Sequence, residues 1–72
     1  TRKFKEFDDI PNSQLEHLIN EYVHNRKYRE MLYSHFIDGL SFEATAEKHN
    51  FSVAQTKKII YKYGDKVLKY IR

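Results

Sequence analysis

From Ser13 onward, apolar side chains recur three and four residues apart and strand-like alternation is absent, which is the period of amphipathic helices. Leu15, Leu18, Ile19, Tyr22 and Val23 form one stripe and predict a helix over about residues 13–24. Asn12 or Ser13 can cap it, and Ser13-Gln14-Leu15-Glu16 fits a capping box: the serine hydroxyl takes a free backbone N–H while the glutamate reaches back. A second stripe, Tyr28, Met31, Leu32, His35 and Phe36, follows Asn25, which is suited to cap it. Gly39 supplies the left-handed stop. Leu40 is expected behind that stop and Ser41 at the next cap, opening a short helix from about Phe42 to His49 with Phe42, Thr45, Ala46 and His49 inward.

A fourth helix is expected after Ser52, with Val53, Thr56, Ile60 and Tyr63 buried and Ile59 beside them. Glycine inside a helix costs about 1 kcal/mol relative to alanine. Gly64-Asp65 is thus either a weak point inside one long helix or a break, with Asp65 capping a last helix through Val67, Leu68 and Ile71, and the break is the favoured reading. The opening TRKFKEFDDI reads as an arm whose Phe4, Phe7 and Ile10 pack back onto the body, closed by Pro11. The expected fold is all-α, a small domain of four to five helices, with residues 1–11 as arm and residues 12–72 as the helical body.

Composition narrows this picture. Seventy-two residues make one small domain near the lower size limit for an unstapled core. Without cysteine, neither disulfides nor thiolate zinc sites are available. No apolar run approaches the roughly 20 residues that cross a bilayer, so a soluble, cytoplasmic protein is expected. The net charge of +3 is unevenly spread: residues 1–50 carry seven Lys or Arg against nine Asp or Glu, residues 51–72 six against one. A basic segment of this kind suits an anionic partner, nucleic acid first and an acidic membrane second, against the plain alternative of a solvated lysine face.

Two short helices joined by a tight turn, the second one basic, have the outline of a helix-turn-helix, and residues 41–60 carry its details. Ala46 is small where the helices would cross. Asn50 tolerates positive φ in the turn. Phe51 is expected tucked under both helices, and Ser52 caps the restart. An ordinary helical hairpin uses the same signals, and the basic second helix is what separates the two readings.

Tyr28-Arg29-Glu30-Met31-Leu32, then Phe36-Ile37-Asp38-Gly39-Leu40-Ser41-Phe42-Glu43, Ala46-Glu47 and Phe51-Ser52-Val53 resemble region four of bacterial sigma factors. They are especially similar to short sigma-like regulators of phages and prophages. The resemblance spans about residues 25–68. It implies a supporting helix over residues 42–49, a recognition helix over residues 53–63 in a major groove, double-stranded DNA as partner and transcription regulation as role. It also admits RNA polymerase as a protein partner and a nucleoid location in a bacterial or phage-infected cell. Thr45 and His49, where the family has aliphatic residues, and Thr56, where valine is common, depart from the pattern. The regions of a sigma factor that hold core polymerase and melt the promoter have no counterpart.

With Val53, Thr56, Ile60 and Tyr63 inward, the outward side chains become the candidate DNA contacts. Gln55 near the helix start can pair bidentately with adenine, and Ala54 can admit the helix or touch a thymine methyl. Lys58 reaches a guanine or a phosphate; Lys57, Lys62 and Tyr61 are assigned to phosphates. Ser52 approaches a phosphate at the helix N-terminus. Arg26 and Lys27, with Arg29, form a second basic group able to brace the neighbouring backbone, and Arg2, Lys3 and Lys5 could follow a minor groove.

Other classes fit less well. The four histidines, His17, His24, His35 and His49, lack ligand spacing, and neither a nucleophile elbow nor a phosphate-cradling glycine loop occurs, so no catalysis, metal, cofactor or small-molecule substrate is expected. The competing reading is a protein-interaction module. Tyr33, Tyr61, Tyr63, Tyr70, Phe4 and Phe7 exceed what so small a core should bury, which leaves rings for a homodimer or a polymerase subunit. DNA-binding subunits of phage packaging machines carry similar domains and supply a third reading.

Overall fold

The computed structural model describes residues 4–71. A 3₁₀ turn, Lys5–Asp9, leads into α1 (Asn12–Tyr22), α2 (Arg26–Leu32), α3 (Phe42–His49) and α4 (Val53–Leu68); no strand occurs among the described residues. The small all-α domain expected from the pattern is what forms. Its helix α4 packs against each of the other three.

Helix α1 is capped at Pro11, one residue before Asn12 and two before Ser13, the two expected caps. The Pro11 ring locks φ at −56°, and with ψ at 142° its carbonyl takes the N–H groups of Gln14 and Leu15, each at 3.0 Å. That leaves Asn12 and Ser13 inside the first turn, and the capping box expected at Ser13 is not made. At α2 the expectation holds: Asn25 Oδ1 accepts from the Lys27 and Tyr28 N–H groups at 3.0 and 3.1 Å.

Beyond Leu32 the α2 coil widens into a π-helical turn, Tyr33–Ile37, closed by Asp38 N–H donating to the Tyr33 carbonyl at 3.0 Å. Gly39 at φ 78° then reverses the chain, and Leu40 N–H returns to the Ser34 carbonyl at 3.0 Å. The wider turn admits an extra residue. It leaves Ser34 buried, while the His35 ring stacks on Phe42 at the start of α3, centroids 4.5 Å apart.

The break expected at Gly64-Asp65 is absent, and α4 runs unbroken through it. A Cβ on Gly64 would lie 2.8 Å from Phe4 Cζ. The glycine therefore makes room for the arm to cross α4 rather than ending the helix. Phe4 and Phe7 are buried with Leu15, Ile19, Val23, Leu32, Ile60, Val67 and Leu68, and Phe36 meets both phenylalanines edge-on at 5.2 and 4.7 Å. The arm is thus a wall of the core. Tyr33 and Tyr63 are half-buried, which leaves Tyr61, at 38% exposure, and Tyr70, at 52%, as the large open aromatics.

Candidate nucleic-acid interface

The turn between α3 and α4 is built from three adjacent residues with separate tasks. Asn50 takes the left-handed conformation, φ 62° and ψ 41°, that ends α3. Phe51 N–H then reaches back to the Ala46 carbonyl at 3.0 Å, a bond that closes the left-handed helix stop. Ser52 restarts the chain: its Oγ accepts from Gln55 N–H at 3.1 Å, while Ser52 N–H donates to Gln55 Oε1 at 3.3 Å. Asn50 and Ser52 thus do what their residue types imply. Phe51 differs, because it leans sideways on α2, 6.4 Å from the Tyr28 ring, with Lys27 Nζ 5.3 Å from its own.

Ala46 is buried where α3 meets α4, and so are the Thr45 and Thr56 side chains, one on each helix. Neither threonine Oγ1 makes a hydrogen bond among the described residues. His49, polar where an aliphatic side chain would suit the packing, has a partner: its Nε2 lies 3.0 Å from Oγ of buried Ser34. Burial, reinforced by Lys48, pushes the His49 pKa below the usual histidine value. His35 Nδ1 lies 2.8 Å from the Leu40 carbonyl oxygen, and burial lowers its pKa as well, against the opposing pull of that carbonyl.

With Thr56, Ile60, Gly64 and Val67 turned inward, Ser52, Ala54, Gln55, Lys57, Lys58, Tyr61 and Lys62 are all exposed. They do not form one uniform face. At 3.6 residues per turn, Ala54, Lys58 and Lys62 lie opposite the buried stripe. Lys57 is on the flank toward α3, its Nζ 5.7 Å from the Phe42 ring centroid, and Lys62 Nζ lies 5.5 Å from the Tyr63 ring. The Tyr61 ring packs 5.9 Å from Phe4 and 5.8 Å from Phe42. Gln55 is committed in the free chain, since Oε1 serves both the N–H and the hydroxyl of Ser52, each at 3.3 Å.

The second basic group divides. Arg29 Nη1 donates to Asn20 Oδ1 at 2.9 Å and so ties α2 to α1. Arg26 pairs with Glu30 at 3.3 Å on an open surface. Arg26 and Lys27 share a cleft with Lys48, a residue that sequence reasoning misses because no local pattern hints that the end of α3 returns to the start of α2. Arg2, Lys3 and the side chain of Lys5 lie outside the described residues. Among those described, no cluster of three or more His, Asp or Glu could hold a metal ion, and no helix is long and apolar enough to cross a membrane.

No family model matches the chain, and no curated protein or solved structure is significantly similar to it.

Proposed function

We propose that the chain is a sequence-specific double-stranded DNA-binding regulator of transcription, with α4 lying in the major groove. The observation that carries this reading is the α3–turn–α4 unit: a left-handed Asn50, a capped restart at Ser52, and an outward stripe of Ala54, Lys58 and Lys62 on a helix end free to enter a groove. Base edges fall to the first turns of α4, Ala54, Gln55 and Lys58; Lys57, Lys62 and the Tyr61 hydroxyl hold phosphates. Reading adenine through Gln55 requires its amide to leave Ser52 for the base, because both lone pairs of Oε1 are engaged in the cap.

One observation favours a protein-docking role instead. A groove of about 650 Å³ between the arm, the π turn and α3 is lined by the rings of Phe4, Phe7, Phe36, Phe42 and Tyr61, with Asp8, His35 and Ser41 among them, and opens on the flank of α4. An RNA polymerase subunit or a second copy of the chain docked there would bind through apolar contact, with little response to salt.

Selection of bound duplexes from a random pool separates the two. The DNA reading expects an enriched motif whose positions relax when Ala54, Gln55 or Lys58 is changed, and a palindromic motif would imply a dimer. A pool that returns no enrichment contradicts it.

A further inference from the structure

A cleft of about 380 Å³ opens beside the turn that starts α4. Arg26, Lys27 and Glu30 of α2 form one wall, and Lys48, His49 and Asn50 form the other. We infer that this cleft is a phosphate-binding site, filled by a backbone phosphate of one strand when a duplex lies along α4, with Lys27, Lys48 and His49 as its donors. The inference rests on the duplex-binding reading for the identity of its occupant.

Three observations carry it. Charge is the first: three fixed cations and one imidazole face a single carboxylate. That carboxylate, Glu30, is engaged with Arg26 in a pair whose side chains are 51% and 87% exposed, so the pair is weak and Arg26 can exchange it for a phosphate. The second is orientation. Lys27 Nζ is held 5.3 Å from the Phe51 ring, which directs the ammonium toward the turn, and His49 is anchored by its Nε2 to Ser34 Oγ. The third is position: Asn50 and Ser52 join the cleft to the first turn of α4, so a strand flanking a groove that received α4 would pass beside them.

His49 also gives the site a reporter. In the free chain burial and the charges of Lys48 and Lys27 hold its pKa down, against the pull of Glu30. A bound phosphate adds negative charge beside the ring and raises that pKa. Exposed His17 and His24 on and after α1 serve as internal controls.

The test uses the full chain, a fluorescent random-sequence duplex titrated across a salt series, and inorganic phosphate followed by the histidine ring resonances. The double variant Lys27→Gln/Lys48→Gln is compared with Lys66→Gln/Lys69→Gln, which removes equal charge at the far end of α4. The slope of log affinity against log salt should flatten by about 0.9 for each phosphate that the cleft variant no longer neutralises, and less in the control. Phosphate should move His49 and not His17, and the cleft variant should abolish that movement. Equal slopes in the two variants overturn the inference while leaving duplex binding intact. If the wild-type chain binds no duplex, the DNA reading fails by itself, and the resonances decide the cleft: movement of His49 keeps a phosphate site, and a still resonance overturns it.

Discussion

The two halves of α4 sit in unlike surroundings. Toward its C-terminus, Gly64, Val67 and Leu68 meet aromatic rings of the arm and aliphatic side chains of α1, a dry cluster that includes Phe4, Phe7, Leu15 and Ile19. Toward its N-terminus the buried contacts with α3 are partly polar: Thr45, Thr56 and, nearby, the Ser34–His49 pair. One half is held by apolar volume and the other by backbone devices, the left-handed Asn50 and the reciprocal Ser52–Gln55 cap. The contrast teaches that backbone hydrogen bonds share the shaping of the turn region with Ile60, Phe42 and Phe51, while the outward stripe Ala54, Lys58 and Lys62 stays exposed.

Substitutions in the dry half should have the largest effects. Leu15→Ala removes a fully buried side chain and is expected to cost about 2–5 kcal/mol, read from urea denaturation. Gly64→Leu should cost about 1–3 kcal/mol by pushing Phe4 from its seat, despite the better helix propensity. Combining it with Phe4→Ala should be less than additive, because the clash and its partner vanish together. Additive costs would show that the arm does not rest on Gly64.

The buried threonines of the polar half should respond in the opposite direction. Thr56→Val keeps the shape and deletes a buried hydroxyl that has no partner among the described residues, and is expected to raise stability by about 1 kcal/mol. A loss instead would mean that the hydroxyl is satisfied. Ser52→Ala should cost about 1 kcal/mol by removing the cap of α4. Acid should act at the histidines: with folded pKa values below the ordinary 6.5, the unfolded chain binds more protons, so this contribution is full above about pH 6.5 and declines as pH falls through the folded values. The melting temperature should drop as pH falls below about 6.5, and less so in His35→Gln.

Much of this is legible in the residues, and the exceptions have physical causes. Asn25, Ser41, Asn50 and Ser52 can be placed because caps and left-handed turns depend on a single residue type and its immediate neighbours. Gly64 misleads because its reason is a contact sixty residues distant, Phe4, which no local rule contains. Ser13 misleads because Pro11 supplies an equivalent start two residues earlier. The partner of His49 lies on a π turn that the helical period does not reveal. At the candidate interface, the outward positions of α4 follow from the 3.6-residue period, whereas the commitment of Gln55 to the cap and the approach of Lys48 to Lys27 arise only in the folded chain.

The most direct test of the central proposal is titration of a random-sequence duplex with the chain over a salt series, followed by fluorescence anisotropy. Binding through the lysines of α4 predicts affinity that falls steeply and log-linearly with salt, with a slope that flattens in Lys58→Gln/Lys62→Gln. Absence of binding at low salt, or binding indifferent to salt, would contradict it.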